Sequence, residues 1–307
     1  MAGSDVFLTG ATGFVGPAVV AELVRSGRSV TALVRDPVGI EGAQTVVGML
    51  GMLDGAADAV AAAGAVVHLA SQRSADRERV VYDDVLGTGE LLDLWKRGPF
   101  VYSSTTTVHG IPRGILDTDT PVRIDDWYDA GKAVNEFQVR AAARAGVAER
   151  GPGISLRPTL YFGRAHRPPE RQYLEWFLRR AAGGHAIAFV SEEAMATVGA
   201  AYVGTEDFGR AVVAALGLTE SGEFPVASGF VTWRDLFTAI NKAAGGTGRT
   251  VIRPNGPENP DEFPVPNSRT ELDHSAFVQR SGWQPRQGLE ELVDAFVRGE
   301  REAGRLD

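Results

Sequence analysis

The stretch TGATGFVG, Thr9 to Gly16, joins a short apolar run to a segment with helical periodicity. Gly10 permits a tight turn, Gly13 lets the backbone approach a pyrophosphate, and Gly16 allows close contact between helix and strand. The N-terminus of the helix would then face the anion. A glycine pattern alone indicates only a turn, but between a strand and a helix it predicts a dinucleotide-binding loop.

Short apolar runs alternate with helical stretches through the first 160 residues. The helical stretch PAVVAELVRSG begins with Pro17 in a first-turn position and ends at Gly27. Apolar runs with little alternation suit strands buried on both faces of a parallel sheet. The strand candidates are DVFLTG, SVTALVRD, AQTVVG, AVVHLAS, PFVYSS and GISLRP. The predicted fold class is α/β, a Rossmann-like doubly wound parallel sheet with a smaller C-terminal substrate lobe.

The domain prediction places a dinucleotide-binding Rossmann domain at residues 1–160, with later segments near 196–230 returning to it. Residues 161–307 form mainly the substrate-binding lobe, because their connections are rich in proline and glycine. We find no internal repeat.

Composition narrows the function classes. The chain has 307 residues, 44% of them apolar, and a formal net charge of -8, which disfavours nucleic-acid and anionic-membrane partners. It has no cysteine, and its five histidines lack metal-ligand spacing, so no metal site is predicted. No signal peptide is recognisable, and the most apolar window, Ala59 to Ala70, is too short to span a bilayer. We expect a cytoplasmic protein with a small-molecule substrate.

Two further segments carry groups suited to proton transfer. YSSTTTVHG, Tyr102 to Gly110, places five hydroxyl side chains at the end of a strand candidate. In YDAGKAVNE, Tyr128 and Lys132 are four residues apart and share a helix face. Taken alone, that pair is more often a helix surface pair. Reduction of a carbonyl, however, requires a proton, and a nearby ammonium favours the phenolate form of a tyrosine whose usual pKa is about 10.

The order and spacing of these motifs resemble the extended short-chain dehydrogenase/reductases, which include nucleotide-sugar epimerases, dehydratases and ketoreductases. The likeness extends over almost the whole chain. The matching segments are TGATGFVG, VVHLAS, YSSTTTVHG, YDAGK, SLRPTLYFG and RSGWQP.

The resemblance implies a catalytic trio of Thr105, Tyr128 and Lys132. Tyr128 would exchange the proton, Thr105 would orient the substrate oxygen, and Lys132 would favour phenolate and hold the nicotinamide ribose. Ser103 and Ser104 would satisfy backbone or cofactor groups, and Thr107 is interpreted as a β-branched strand former.

NADP is preferred over NAD, because the family's acidic position at the end of the second strand is Val34, and Arg35 follows it. Arg35 could hold a 2′-phosphate or simply be a surface residue near Asp36. By position, the predicted cofactor contacts are Gly10, Thr12, Gly13, Phe14, Val15, Gly16, Arg35, Met49, Leu50, Leu69, Ala70, Ser71, Arg73, Tyr128, Lys132, Arg157 and Pro158. Asp84 replaces a usual asparagine, and its role stays open.

His109 stands where many members have tyrosine. It could act as an auxiliary acid, but more often such a residue forms a hydrogen bond at the rim of the pocket. The resemblance also implies a homodimer formed through the alanine-rich helix after Lys132.

The leading hypothesis is an NADPH-dependent ketoreductase, with an activated 4-keto-6-deoxysugar as the best single guess for its substrate. The alternatives are an NAD-dependent epimerase or dehydratase that retains its cofactor, and a non-catalytic NADP sensor. Leu160 and Ala200-Ala201 replace side chains with which relatives handle a diphosphate. Five arginines could offer other anion contacts or form a solvated helix face: Arg164, Arg167, Arg171, Arg179 and Arg180. Nearby aromatic residues could line a pocket or form core: Tyr161, Phe162, Tyr173, Trp176 and Phe177.

Overall fold

The computed structural model describes residues 6–71, 74–110, 114–147, 149–163 and 173–306. Arg73, a predicted cofactor contact, lies outside the described residues, and so do Arg164, Arg167 and Arg171.

The secondary structure alternates strands and helices along the chain. The strands are β1 Val6–Thr9, β2 Val30–Val34, β3 Gln44–Val47, β4 Ala65–His68, β5 Gly98–Ser103, β6 Gly114–Leu116, β7 Arg150–Pro158, β8 Leu160–Phe162, β9 Ala186–Phe189, β10 Gly199–Gly204, β11 Gly222–Val226, β12 Gly229–Thr232, β13 Arg249–Ile252, β14 Glu262–Pro264 and β15 Arg269–Leu272. The α-helices are α1 Gly16–Arg25, α2 Ala57–Ala62, α3 Arg77–Arg79, α4 Gly87–Leu94, α5 Trp127–Arg144, α6 Tyr173–Ala182, α7 Glu192–Thr197, α8 Thr205–Ala215, α9 Trp233–Ala244, α10 Ser275–Ser281 and α11 Leu289–Glu302. A π-helical segment, Val80–Leu86, joins α3 to α4.

Within the described residues, seven parallel strands form the main sheet in the order β3-β2-β1-β4-β5-β7-β11. The strand order reverses between β1 and β4, and ligands of doubly wound sheets bind in the crevice beyond the carboxyl ends of the strands at such a point. The predicted doubly wound parallel sheet is confirmed.

The inner strands of this sheet, such as β1 and β4, are buried on both faces, which explains why they are apolar with little alternation, whereas the edge strand β3 is mostly exposed. In β1, Val6 and Leu8 contribute to the core that α1 and α8 cover, whereas Phe7 contributes to the core on the opposite face, with Leu91 and Trp95. Alternate residues of one strand thus enter two different cores.

Later parts of the chain also belong to the main sheet. Strand β11 pairs with β7, and α8 lies against α1. Gly209 permits that close approach, since a Cβ there would lie 2.7 Å from Cγ of Glu22. Phe277 of α10 and Trp283 join the same core. Strand β10 instead pairs with β8, β12 and β15 in a second sheet.

A third hydrophobic core lies between α6, α9, α11 and the smaller sheets. Phe162 and Phe177 are fully buried there, and the Trp176 ring lies 5.2 Å from that of Phe263. Arg179 pairs with Glu175 on its own helix, and the Arg180 guanidinium lies 4.8 Å from the Phe263 ring centroid. Phe162 and Phe177 are thus core residues of this lobe, whereas Trp176 is partly exposed at its edge.

Among the described residues, no helix combines the length and apolar character needed to cross a membrane.

Candidate active site

The glycines of the loop after β1 are required by the backbone. Gly10 has a φ of 80°, and a Cβ there would lie 2.6 Å from the backbone nitrogen of Ala70. At Gly16 a Cβ would lie 2.3 Å from the carbonyl oxygen of Ala11. The Gly13 N–H donates to the Gly10 carbonyl over 3.0 Å, and Gly13 is exposed. The loop therefore leaves its backbone open to solvent at the carboxyl edge of the sheet.

The N-terminus of α1 is free to bind an anion. Val15 precedes the helix and cannot cap it, Pro17 lies in the first turn, and that turn has no acidic side chain. Thr12 is exposed beside it. Unpaired N–H groups at a helix N-terminus favour a phosphate. Together with the glycine loop, these residues fit the diphosphate of a dinucleotide.

A buried hydrogen-bond chain joins this loop to the neighbouring elements. The N–H of Ala70 donates to Oγ1 of Thr9 over 3.2 Å. Oγ1 of Thr9 lies 2.6 Å from Nδ1 of His68, and Nε2 of His68 lies 3.0 Å from Oγ1 of Thr88. Thr88 donates its hydroxyl proton to the carbonyl of Asp84 over 2.5 Å. Since Thr88 uses its hydroxyl proton for Asp84, its oxygen must accept the hydrogen bond from His68. All hydrogen bonds of the series are therefore formed when His68 is neutral with its proton on Nε2.

The electrostatics of His68 agree with this assignment. Burial, with a smaller contribution from the charge of Lys132, lowers the pKa of His68 to about 3. The imidazole is therefore a structural hydrogen-bonding group at neutral pH.

Asp84 lies in the π-helical segment, a geometry that frequently marks functional sites. Its Oδ2 accepts a hydrogen bond from Oγ of Ser71 over 2.9 Å, and its carbonyl accepts one from Nδ2 of Asn135 over 3.3 Å. Asp84 thus connects the loop after β4 to helix α5.

Lys132 lies between the hydroxyl strand and the tyrosine. Its Nζ donates to the carbonyl oxygen of Ser103 over 2.7 Å. The same atom lies 5.8 Å from the ring centroid of Tyr128 and 4.9 Å from that of Tyr102. Burial lowers the pKa of Lys132 to about 8, while the charges of Asp84 and Glu136 oppose that shift.

Thr105 begins a short 3-10 turn, Thr106–His109, at the end of β5. Its Oγ1 accepts the N–H of Thr107 over 3.2 Å and lies 3.0 Å from Oγ1 of Thr107. Thr107 in turn donates to the carboxylate of Asp129, which directly follows Tyr128. The interpretation of Thr107 as a strand former is wrong, since the strand ends at Ser103 and Thr107 forms a polar link to α5.

Two contacts from the first turns of α5, both after Tyr128, therefore hold the helix against the hydroxyl segment: Thr107 to Asp129, and Ser103 to Lys132. The structure thus brings Thr105, Tyr128 and Lys132 to one region at the carboxyl edge. Ser104 is buried nearby, and its Oγ has no hydrogen-bond partner among the described residues.

Arg157, a predicted cofactor contact, is committed to another side chain. Its Nε and Nη2 each donate to a carboxylate oxygen of Glu136 over 2.8 Å, and both residues are buried. Its Nη1 lies 3.4 Å from Nε2 of His109. Pro158 is buried next to it at the end of β7.

The positions predicted for the adenosine half lie at the ends of β2 and β3. Arg35 follows the buried Val34, and its guanidinium has no ion-pair partner within the described part of the chain, Asp36 included. Met49 is exposed and Leu50 is partly buried. Since β1, β2 and β3 are parallel neighbours, these residues lie at the same edge as the glycine loop.

Tyr161, for which the sequence allows either a pocket or a core position, lies beside the site. Its hydroxyl lies 3.5 Å from Oγ of Ser103, and its ring centroid lies 6.1 Å from that of Phe14 and 5.2 Å from that of Phe208. Burial raises the pKa of Tyr161 above its usual range. The sequence signal was its place directly after the sixth strand of the sheet.

A Rossmann sheet with a glycine loop, a hydroxyl strand and a Tyr-x-x-x-Lys helix is the arrangement of the extended short-chain dehydrogenase/reductases. A family model described as the NAD dependent epimerase/dehydratase family matches residues 6–226. The chain belongs to the NAD-dependent epimerase/dehydratase family.

Several solved structures share the fold. MoeE5 in complex with UDP-glucuronic acid and NAD is 22% identical, with a TM-score of 0.78 over 97% of this chain and 99% of that chain. UDP-glucose 4-epimerase from Thermotoga maritima, with UDP-glucose, is 20% identical, with a TM-score of 0.75 over 97% and 99%. A short-chain dehydrogenase/reductase superfamily protein from Agrobacterium tumefaciens with bound NAD is 23% identical, with a TM-score of 0.78 over 97% and 98%. Comparison with curated proteins finds no match.

Proposed function

We propose that this protein is a nicotinamide-dependent enzyme that oxidises one carbon of a nucleotide-activated sugar and reduces it again, as an epimerase or dehydratase does. The single observation that carries this proposal is the Lys132 ammonium, which is bonded to the Ser103 carbonyl and lies 5.8 Å from the Tyr128 ring centroid. Family membership supports the same class of reaction. The proposal favours the alternative considered from the sequence over net reduction by NADPH.

The cofactor would bind along the carboxyl edge of the main sheet. The glycine loop and the N-terminus of α1 would hold its diphosphate, and Leu69, Ala70 and Ser71 would lie along it. Lys132 would hold the nicotinamide ribose. When bound, the nicotinamide supplies the ability to accept and return a hydride.

The side chains of the trio would handle the proton. As the substrate carbon is oxidised, Tyr128 takes the proton of its hydroxyl group, and it returns the proton when the carbon is reduced. The ammonium of Lys132 favours the phenolate that this exchange requires. Thr105 would donate a hydrogen bond to the substrate oxygen, exchanging its contact with Thr107 for one with the substrate.

A net reduction of a keto-sugar by NADPH is the second candidate, and one observation favours it. Arg35 is exposed and unpaired within the described residues at the edge where an adenosine ribose would lie, and Val34 offers no carboxylate. A guanidinium there is suited to a 2′-phosphate.

Incubation of the purified protein with a panel of nucleotide sugars distinguishes the two candidates. An epimerase converts its substrate without net change in the absorbance of the reduced nicotinamide, whereas a ketoreductase consumes NADPH in proportion to product. If neither conversion occurs with any nucleotide sugar or keto-sugar, the proposed function is wrong.

We also propose that two copies associate through the helices beside the site. Tyr82 and Leu86 on the π-helical segment, and Val134 and Phe137 on α5, are exposed apolar side chains at helical spacing. The two helical segments contact each other, so these residues offer one apolar face to a second copy.

A further inference from the structure

His109 ends the hydroxyl row but takes no part in the proton transfer described above. The 3-10 turn directs it inward, where it is buried between the segment before α5 and the end of β7. Its Nδ1 lies 3.0 Å from the carbonyl oxygen of Pro121, and its Nε2 lies 3.4 Å from Nη1 of Arg157.

These two partners define the state of the imidazole. A carbonyl oxygen can only accept, so Nδ1 of His109 must bear the proton. A guanidinium can only donate, so Nε2 must offer its lone pair to Arg157. The neutral Nδ1–H tautomer alone satisfies both contacts, because an added proton on Nε2 would oppose a charged N–H group.

The contact extends to the reactive face of α5. Arg157 donates a hydrogen bond of 2.8 Å to each carboxylate oxygen of Glu136. Glu136 lies four residues after Lys132 and eight after Tyr128, so all three side chains lie on one face of the helix. His109, at the other end, belongs to the turn that begins at Thr105.

We infer that His109 is a positioning residue: its neutral imidazole orients Arg157 for its hydrogen bonds to Glu136. Through Glu136, this contact holds the face of α5 that carries Tyr128 and Lys132 against the Thr105 turn. This His109–Arg157–Glu136 brace joins three segments that are distant in sequence. The inference rests on the proposed function only where turnover is the measurement.

The surroundings of His109 favour its neutral form. Burial is the largest influence and lowers the pKa of His109, and the positive charge of Arg157 acts in the same direction. The contact with Pro121 and the charges of Glu136 and Asp117 oppose it without reversing the shift. Protonation at lower pH would therefore separate Arg157 from the ring and loosen the brace.

Nitrogen NMR of the imidazoles tests the tautomer without any substrate. The His109→Gln variant assigns the His109 signal by its loss. We expect the Nδ1–H form at neutral pH and protonation below the usual histidine range of about 6.5. An Nε2–H tautomer, or titration at the usual pKa, would overturn the inference.

Two variants test the positioning role. We expect His109→Leu, which removes both hydrogen bonds, to lower kcat about tenfold with KM little changed, since it displaces catalytic groups and not substrate contacts. His109→Gln offers an amide donor and acceptor that never becomes charged, so it should restore turnover and remove the acid limb attributable to His109. Equal turnover per folded molecule in wild type and His109→Leu would contradict the role.

Urea unfolding separates failure of the brace from failure of the proposed function. His109→Leu and Glu136→Gln both break the same brace, so the double variant should unfold close to the less stable single variant. Additive destabilisation would contradict the brace even if the enzyme is active. If wild type converts no substrate, the proposed function fails, and the unfolding and NMR results still decide the brace.

Discussion

The ammonium of Lys132 donates a hydrogen bond to the carbonyl oxygen of Ser103 over 2.7 Å, joining helix α5 to the last residue of β5. The lysine is buried, and the carboxylates of Asp84 and Glu136 oppose the effect of burial on its charge. The charge beside Tyr128 therefore depends on residues outside the trio.

The first prediction concerns the alkaline limb of activity. Because the pKa of Lys132 is about 8, kcat/KM should fall above about pH 8 as the ammonium loses its proton. Asp84→Asn removes a charge that raises the pKa of Lys132, so the limb should move to lower pH. A pH–rate profile of each protein measures the position of its alkaline limb. An alkaline limb at the same pH in wild type and Asp84→Asn would contradict the electrostatic role of Asp84.

The second prediction concerns cofactor choice. If Arg35 binds a 2′-phosphate, Arg35→Ala should lower the affinity for NADPH by about tenfold or more and leave the affinity for NADH nearly unchanged. The reason is that a charged hydrogen bond is lost only when the phosphate is present. Fluorescence titration with both cofactors measures this difference. Arg28→Ala, which removes an arginine before β2, serves as the control. Equal weakening of both cofactors would exclude the phosphate contact and favour an NAD enzyme.

The third prediction concerns His68 and acid stability. Its pKa is lowered from 6.5 to about 3 in the folded protein, so below about pH 6 only the unfolded chain binds the proton. As the pH is lowered through that range, the free energy of unfolding should therefore decrease by about 1.4 kcal/mol per pH unit because of His68. Above the unfolded pKa, His68 should make no contribution to the pH dependence of stability.

Urea unfolding of wild type and His68→Gln at several pH values measures this slope. The variant should lose stability on acidification less steeply than wild type. Parallel slopes in wild type and His68→Gln would show that His68 is protonated in the folded state.

The fourth prediction concerns assembly. Phe137→Glu places a charge on the exposed apolar face of α5 and should convert a dimer into a monomer, whereas Val190→Glu, at an exposed residue after β9, should not. Sedimentation gives the mass of each species. A wild-type monomer would rule out the association.

The sheet was predictable because its inner strands are buried on both faces and leave an apolar pattern in the sequence. Gly10 marks a positive φ and a close approach to Ala70, which is a local requirement that a sequence motif can record. The addition of Phe277 and Trp283 to the same core depends on contacts between distant segments, which the motif RSGWQP around Trp283 does not itself specify.

The side-chain partners in the site were harder to predict for the same reason. Arg157 and Glu136 are 21 residues apart, and only the packing of β7 against α5 brings them together. Thr107 looked like a strand residue because its β-branched type suits a strand, but the strand ends earlier and frees its hydroxyl for Asp129. The spacing of Lys132 and Glu136 was the one signal that could have placed Glu136 on the reactive face.

The proton transfer by Tyr128 is the central claim, and one comparison tests it most directly. Wild type, Tyr128→Phe and Tyr82→Phe are each mixed with a nucleotide sugar that wild type converts, and product is measured in a single turnover. We expect Tyr82→Phe, which removes an exposed phenol, to match wild type, and Tyr128→Phe to be slower by about 10²-fold or more while it still binds the cofactor. Product formation at the wild-type rate by Tyr128→Phe would contradict the account.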